Sequence, residues 1–325
     1  MPLLEIKNLQ LDFGSKEKAV RAVDGVSLAI DAGETLCLVG ESGCGKSVTA
    51  LSIAKLVPSP PAYYSGGEIL LEGRDVLRMT KTELQKIRGG VVSYIFQEPS
   101  ASLNPVFRVG NQIKESLKLH RPRKATDAEV VRLLKLVNIP SPESRMRDYP
   151  HQLSGGMQQR VMIAMAIASE PRLLIADEPT TALDVTIQAQ ILELLLDLKK
   201  RLGMAMLLIT HNLGIVSDIA DRLAVMYAGQ IVELAPAADL LRRPFHPYTR
   251  ALMNSVPKLG HEMERLQAIG GTVPNLGAWP AGCRFYPRCP SAAQHPECAN
   301  QMPELVEVEP NRFVRCLYTH ELKQN

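Results

Sequence analysis

The stretch "ETLCLVGESGCGKS", residues 34–47, decides the fold because a short apolar run leads directly into a glycine-rich loop. Gly40 to Ser47 fit the pattern G-x-x-x-x-G-K-[S/T], and the next stretch, "KSVTALSIAKLV" (46–57), has a helical pattern that Pro58 ends. A strand, a glycine-rich loop and a helix in this order are typical of a loop that binds phosphate groups. A glycine-rich turn without a ligand is the structural alternative.

The residue types in this loop suit a nucleotide. Glycines let several backbone N–H groups converge on phosphate oxygens, and the start of the helix adds a partial positive charge. We expect Lys46 to reach the β- and γ-phosphates and the Ser47 hydroxyl to bind Mg²⁺. The predicted nucleotide-binding residues of the loop are Gly40, Glu41, Ser42, Gly43, Cys44, Gly45, Lys46, Ser47 and Val48.

Two further apolar runs end on polar residues: "RLLIADE" (172–178) ends in two acids and "AMLLITH" (205–211) ends in a histidine. A helical stretch, "IQAQILELLLDLKKRLG" (187–203), lies between them and closes at Gly203. Alternating strand and helix signals predict an α/β fold with a parallel, doubly wound sheet. Ligands of such sheets bind at the carboxyl ends of the strands, so we expect the three strand ends to share one edge.

The polar strand ends supply the second half of the predicted site. Asp177 is expected to hold Mg²⁺ through water, and Glu178 to orient or deprotonate an attacking water. A structural ion pair is the alternative for these two acids. His211, at an equivalent strand end, is a candidate contact for the γ-phosphate.

The octet "LSGGMQQR" (153–160) contains no carboxylate, histidine or nucleophile. Ser154 is a good N-cap, and the apolar spacing after it predicts a helix. Gly155 and Gly156 permit a ligand to approach the backbone closely. The octet therefore predicts a second helix N-terminus that binds an anion. An ordinary capped helix is the alternative.

Composition excludes several classes of protein. The 325 residues carry 37 basic and 34 acidic side chains, a net charge of +3, with no basic run that would predict a nucleic-acid partner. No stretch approaches the roughly 20 apolar residues that cross a bilayer, and "MPLLEIKNLQ" (1–10) is unlike a signal peptide. The chain is therefore expected in the cytosol, or docked on a membrane protein.

Pattern changes along the chain predict its organisation. The first 35 residues read as strands around the loop "DFGSKEK" (12–18), and mainly helical patterns from about 98 to 165 indicate an inserted subdomain. Seven prolines between Pro274 and Pro310 disfavour long helices near the end of the chain. We place a boundary near residue 258, which gives domains 1–258 and 259–325.

Taken together, the motifs over residues 1 to about 255 resemble the ATP-binding subunits of ABC transporters. The octet matches the "LSGGQ" signature apart from Met157, and "HNL" (211–213) has Asn212 where aspartate is more frequent. The resemblance implies a RecA-like core, an N-terminal antiparallel β subdomain and an inserted helical subdomain. It also gives roles to three more residues. Phe13 would stack on adenine, and Gln97 of "FQEP" would act in catalysis and at Mg²⁺. Asp184 of "TTALD" (180–184) would be the D-loop aspartate of the nucleotide site.

The resemblance implies how such an octet acts without a reactive side chain. In this family two ATP-binding domains enclose two ATP molecules, and each signature helix points at the γ-phosphate held by the other domain. Ser154, Gly155 and Gly156 would thus complete the site of a second, homologous ATPase. Lys46, Gln97, Glu178 and His211 would carry hydrolysis in this chain.

Several stretches narrow the resemblance to oligopeptide and dipeptide importers: "SLNPVFRVGNQI" (102–113), "YPHQLSGGM" (149–157), "RRPFHPYTRAL" (242–252) and "CRFYPRCP" (283–290). The implied partners are a second ATPase, two membrane permeases and an extracytoplasmic binding protein, with this chain peripheral on the cytoplasmic side of the inner membrane. Nickel and glutathione importers share much of the pattern. ABC ATPases of DNA repair or translation are the rival class, but the spacing from Lys46 to Ser154 and the single cassette disfavour them.

Four cysteines lie close to the end of the chain, at Cys283, Cys289, Cys298 and Cys316. Four thiolates suffice for Zn²⁺ or an iron–sulfur cluster, but the gaps match neither zinc ribbons nor ferredoxins, so the spacing leaves metal and free thiols open. The resemblance favours a [4Fe–4S] cluster, because some similar importer ATPases hold one in this region. His295 is expected to be a surface residue.

Overall fold

A computed structural model of the chain describes residues 1–15, 18–181, 183–255 and 269–318. The strands are β1 Leu4–Phe13, β2 Val20–Ile30, β3 Thr35–Val39, β4 Ala62–Leu71, β5 Arg74–Asp75, β6 Val92–Ile95, β7 Leu173–Asp177, β8 Ala205–Ile209, β9 Arg222–Tyr227, β10 Gln230–Pro236, β11 Val306–Glu309 and β12 Arg312–Val314. The α-helices are α1 Lys46–Ser52, α2 Lys81–Ile87, α3 Pro99–Ser102, α4 Val109–His120, α5 Asp127–Leu136, α6 Pro142–Arg145, α7 Gly155–Ile167, α8 Val185–Leu202, α9 Val216–Ile219, α10 Ala237–Arg242 and α11 Pro247–Asn254. Two compact units divide the chain. The first unit comprises residues 1–3, 30–34 and 78–209, and the second comprises 4–29, 35–77 and 210–325.

The core of the first unit is a parallel run of strands in the order β6, β7, β8. Every residue of β7 and β8 is buried, which explains why both read as continuous apolar runs rather than as alternating ones. The predicted parallel sheet and the two predicted strands near 172–178 and 205–211 are therefore confirmed in this unit.

The predicted helical insert is also confirmed. Helices α3 to α7 and the 3₁₀ turns at 122–124 and 150–152 follow one another between residues 99 and 167, and α4, α5 and α7 pack on each other. After the insert, α8 begins after the N-cap Asp184 and ends at Gly203, which adopts φ 64°. Gly203 therefore stops α8 as expected, because glycine takes the left-handed conformation at little cost.

The second unit contains two groups of strands. One group runs β2, β1, β4, β5, with β4 antiparallel to both β1 and β5, as expected for an N-terminal antiparallel subdomain. In the other, β3 is parallel to β9, and a tight Ala228–Gly229 turn at positive φ joins β9 to the antiparallel β10. This hairpin was not predicted from the sequence, although a glycine in a two-residue turn is a known hairpin signal.

Helix α1 is shorter than predicted: it ends at Ser52 instead of running to Val57. The chain leaves the helix because Lys55 adopts φ 51° and the Leu56 N–H donates to the Leu51 carbonyl at 2.8 Å. The Ser52 hydroxyl also donates to the Val48 carbonyl, a local bond that competes with helix propagation. The helix was predicted to be longer because the helical spacing of apolar residues continues past Ser52.

The last described segment, 269–318, has only short elements: 3₁₀ turns at 286–288 and 296–299, and strands β11 and β12. This agrees with the expectation that its prolines disfavour long helices. Strand β12 is antiparallel to β10, so the segment extends the sheet of the second unit. The predicted boundary at 258 falls within 256–268, outside the described residues.

Across the described ranges, no helix is both long and apolar enough to cross a bilayer.

Candidate nucleotide site

The glycine-rich loop joins β3 to α1, and its glycines are required by close backbone contacts. Gly40 adopts φ 151°, and a Cβ there would lie 2.2 Å from the Met226 carbonyl oxygen. Gly45 precedes α1 with φ 107°, and a Cβ on it would lie 2.7 Å from Met226 Cε. The predicted strand, loop and helix are therefore present, and the loop curls against β9 as only glycine allows.

Lys46 is the first residue of α1, and its ammonium group lies inside the loop. Its Nζ donates to the carbonyl oxygens of Gly40 at 2.7 Å and Glu41 at 2.9 Å, and the residue is only 6% exposed. Ser47 is exposed, so its hydroxyl is accessible to a bound ion. This arrangement places a cation against the backbone of the glycine-rich loop, which suits a polyphosphate ligand.

Cys44 contributes shape to the loop rather than a reactive thiol. The residue is 1% exposed, and burial raises the pKa of its thiol although Lys46 acts in the opposite direction. Because thiolate is the nucleophilic form, this upward pKa shift and the burial of the side chain both disfavour a nucleophilic role for Cys44.

The acid pair lies at the end of β7 in the first unit. Asp177 is 6% exposed, and its Oδ2 accepts a hydrogen bond of 2.7 Å from the Tyr94 hydroxyl on β6. Burial, together with the charge of Asp177, raises the pKa of Tyr94, so the phenol keeps its proton and remains a donor. Tyr94 was not predicted as a site residue. The signal that could have indicated it is a tyrosine within an apolar strand, because a buried tyrosine hydroxyl needs a hydrogen-bond partner.

Glu178 is held in an unusual conformation directly after β7. It adopts φ 47°, which costs a residue with a side chain about 1–2 kcal/mol, and its N–H donates to the Ile209 carbonyl at 2.9 Å. Its Oε2 accepts from Gln97 Nε2 at 3.0 Å and from the Thr181 hydroxyl at 2.9 Å. The structure thus brings Gln97 and Glu178 together and adds Thr181, which the sequence analysis did not name.

The octet has the predicted local structure. Ser154 is the N-cap of α7, and its Oγ accepts from the Met157 N–H at 3.4 Å. Ser154 and Gly155 are exposed, and a Cβ on Gly156 would lie 3.0 Å from Ile187 Cγ2 on α8. The start of α7 is therefore exposed at Ser154 and Gly155.

The remaining predicted residues of the nucleotide site, Asp184, Phe13 and His211, lie at the ends of a helix or a strand. Asp184 is the exposed N-cap of α8, and its Oδ1 accepts from the Ile187 N–H at 2.9 Å. Phe13 is half-buried at the end of β1, opposite Ala62. His211 is exposed just after β8.

The four terminal cysteines line one cavity of about 170 Å³ in the second unit. Burial raises the pKa of Cys283 and Cys289, and burial with neighbouring Cys283 and Glu297 raises the pKa of Cys298 to about 11. In the described ranges, no set of three or more His, Cys, Asp and Glu side chains is already grouped as tightly as one metal ion requires. His295, which was expected to be a surface residue rather than a ligand, is half-buried and also lines the cavity, with its ring stacked on Tyr318 at 3.5 Å between centroids.

Comparison with known families finds two matches along the chain. The family described as "ABC transporter" matches residues 23–181, and "Oligopeptide/dipeptide transporter, C-terminal region" matches residues 232–298. The two matches together include the glycine-rich loop, the acid pair and three of the four terminal cysteines.

Characterised relatives are similar over nearly the whole chain. The oligopeptide transport ATP-binding protein AppD of Bacillus subtilis is 51% identical over 322 residues, covering 98% of this chain and 98% of AppD. The dipeptide transport ATP-binding protein DppD of Haemophilus influenzae is 49% identical, covering 97% of this chain and 95% of DppD. The dimeric post-hydrolysis structure of the ATP-binding cassette MJ0796 with ADP and Pi aligns at a TM-score of 0.63 and 27% identity, covering 72% of this chain and 98% of that one.

Proposed function

Because the chain belongs to the ABC transporter family of ATP-hydrolysing subunits, we propose that it powers a membrane importer whose cargo is peptides. The observation that carries this proposal is the end-to-end similarity to oligopeptide and dipeptide transport ATP-binding proteins, including the C-terminal match over residues 232–298. The proposed partners are two permeases that span the membrane, a second ATP-binding subunit and an extracytoplasmic binding protein. This chain would lie peripherally on the cytoplasmic side.

In the proposed reaction, each predicted residue has a separate task in binding Mg-ATP. The backbone of the loop from Gly40 to Val48 and the Lys46 ammonium would hold the phosphates, while Ser47, Gln97 and Asp177 would bind Mg²⁺ directly or through water. Transfer of a phosphoryl group to water needs little covalent help from a protein, so catalysis rests on positioning and on charge stabilisation. The buried Lys46 and the fixed Asp177 supply both.

Glu178 is the proposed base that orients and deprotonates the attacking water. Its hydrogen bonds from Gln97 and Thr181 restrict the orientation of the carboxylate. A carboxylate fixed in this way accepts a proton without first reorganising, which is the advantage of preorganised polar groups. His211 would contact the γ-phosphate, and Phe13 would stack on adenine.

The octet is proposed to act on the partner's nucleotide. Ser154 and Gly155 are exposed at the start of α7, and the MJ0796 cassette with ADP and Pi is described as a dimer. Backbone N–H groups and the Ser154 hydroxyl would reach the γ-phosphate in trans, and Asp184 would lie at the same interface. ATP would then hold the two subunits together until hydrolysis releases them.

We propose that Cys283, Cys289, Cys298 and Cys316 hold a [4Fe–4S] cluster rather than a single ion. A zinc ion bonds thiolates at about 2.3 Å, whereas the cavity that these cysteines line together with other residues has a volume of about 170 Å³. Cys283, Cys289, Cys298 and Cys316 would hold the cluster, which would pin a segment that has few apolar residues. Iron and sulfide analysis of protein purified without oxygen tests this, with Cys283→Ser as the variant and Cys37→Ser as the control, because Cys37 is buried on β3. Absence of iron and sulfide from the wild-type protein would refute the cluster, and zinc in their place would assign the cysteines to a single ion.

The transport role is tested by purifying the tagged full chain from gently solubilised native membranes. We expect two multispanning proteins and a second ATPase to copurify, and ATP hydrolysis by this complex to rise when the binding protein is loaded with peptide. Stimulation by nickel or glutathione instead would reassign the cargo. Recovery with ribosomes or DNA would contradict the importer role altogether.

A further inference from the structure

Glu41, the second residue of the glycine-rich loop, is held by two residues from far along the chain. Its carboxylate accepts two parallel hydrogen bonds from Arg288, at 2.8 Å from Nη1 to Oε2 and 3.0 Å from Nη2 to Oε1. Its backbone N–H donates to the Tyr248 hydroxyl at 2.9 Å. The Glu41 carbonyl in turn accepts from Lys46 Nζ at 2.9 Å. One residue thus links the loop lysine to the C-terminal part of the second unit.

Both supporting residues are themselves fixed. The Arg288 side chain is 4% exposed, its Nε donates to the Gly270 carbonyl at 2.7 Å, and its Nη1 donates to the Tyr227 hydroxyl at 3.3 Å. Tyr248 is fully buried, with ring centroids 4.6 Å from Tyr227 and 5.4 Å from Phe285. A two-pronged pair between a buried guanidinium and a carboxylate that is 29% exposed has a more defined geometry than a fully solvated surface ion pair.

We propose that Arg288 is a positioning residue of the nucleotide site, which holds Glu41 and so keeps the glycine-rich loop in the shape that binds phosphate. This inference rests on the proposed ATP site. A glycine-rich loop has many accessible conformations, and fixing one of them before ATP arrives lowers the entropic cost of binding. Arg288 also neutralises the Glu41 carboxylate, which otherwise adds a negative charge to a loop that must receive a polyphosphate.

The consequence concerns the segment that carries the cysteines. Arg288 directly precedes Cys289 and lies three positions after Phe285. Cys289 and Phe285 both line the four-cysteine cavity. The C-terminal segment therefore belongs to the nucleotide site through the Arg288 contact, in addition to extending the sheet at β12.

The experiment compares Mg-ATP affinity among full-length variants by titration calorimetry, with urea unfolding measured on the same samples. Arg288→Gln is expected to raise the Kd for ATP about tenfold, Glu41→Gln to do the same, and the double variant to lie within about twofold of either single one. Arg288→Lys keeps the positive charge but cannot donate the two parallel hydrogen bonds to Glu41, so its Kd for ATP should lie between those of wild type and Arg288→Gln. Arg243→Gln is the matched control, because it breaks another ion pair of the C-terminal segment, to Glu309, and should leave the Kd within twofold of wild type.

Each outcome decides between a positioning role and a purely structural one. If Arg288→Gln lowers the urea midpoint but the folded protein binds ATP with an unchanged Kd, the inference is wrong. If the effects of Arg288→Gln and Glu41→Gln simply add, the two residues do not act as a pair and the inference is equally wrong. Should Arg288→Gln fail to fold, Glu41→Gln and Arg288→Lys test the same contact.

Lys46→Ala, measured in parallel, separates this inference from the proposed function. Loss of ATP binding in Lys46→Ala with unchanged binding in Arg288→Gln would leave the nucleotide site intact and overturn only the role of Arg288. Unchanged binding in Lys46→Ala would overturn the site itself, and with it the inference.

Discussion

Replacing Tyr94 by phenylalanine removes one hydroxyl, and the structure allows the effect to be estimated. The Tyr94 hydroxyl donates to Asp177 Oδ2 at 2.7 Å, and Asp177 is only 6% exposed. A hydrogen bond to a charged group contributes about 1.5–3 kcal/mol, so the free energy of unfolding should fall by about that much. Partners that orient a metal-binding carboxylate typically change metal affinity by about 10–100-fold, so the Mg²⁺ concentration for half-maximal ATP hydrolysis should rise at least about tenfold.

Two assays check the Tyr94→Phe prediction. Urea unfolding without nucleotide gives the loss of stability, and Mg²⁺ titration of ATP hydrolysis in the assembled transporter gives the change in metal dependence. Tyr63→Phe is the control, because it removes the same atom from a half-buried tyrosine on β4. If Tyr94→Phe matches wild type in both its urea midpoint and its Mg²⁺ dependence, the argument that Tyr94 orients Asp177 for metal binding fails.

Three further predictions concern catalysis, the octet and acid stability. Glu178→Gln should lower ATP hydrolysis in the assembled transporter at least about 100-fold. ATP binding should persist, and closed dimers should accumulate in size-exclusion chromatography. Unaltered hydrolysis would mean that Glu178 is not the base. Ser154→Arg should leave ATP binding to the isolated chain near wild type yet block hydrolysis at the partner's site, and lost binding would mean that the octet acts in cis. Burial lowers the pKa of His246 to about 3 from its ordinary 6.5. Between these two pH values the unfolded chain therefore binds one proton more than the folded chain. The free energy of unfolding should fall by about 2 kcal/mol from pH 7 to pH 5. His246→Asn keeps an acceptor for the Tyr248 N–H and should lack this loss in urea unfolding at the two pH values; equal losses in both proteins would contradict the assignment.

Local signals in the sequence were sufficient for the elements that frame the site. The strand, loop and helix around Lys46, the N-caps Ser154 and Asp184 and the stop at Gly203 were all predicted, and the structure has each of them. These features depend on the conformational freedom of glycine and on side chains that bond to the nearest backbone groups, both of which act within a few residues. The exception is the end of α1, where an apolar spacing continued beyond the point at which the helix stops.

Contacts between distant segments could not be read in the same way. Tyr94 and Asp177 meet because β6 and β7 are paired in parallel with Tyr94 beside Ile175, and no local pattern states that register. Gln97 and Glu178 were placed near each other only through the family resemblance, and Thr181 was not expected there. The shared edge expected for the three strand ends and the trans role of the octet stay predictions.

The sequence by itself determined that the chain has a phosphate loop, an acid pair and a capped octet, because each depends on residue types at short, fixed spacings. Only the tertiary structure decided that Arg288, 247 positions from Glu41, supports that loop, and that four cysteines with indecisive spacing line one cavity. The physical reason is that backbone propensity and capping act locally. Buried pairs between distant residues form only after strand pairing has fixed which side chains face each other, and that choice depends on the whole packed core.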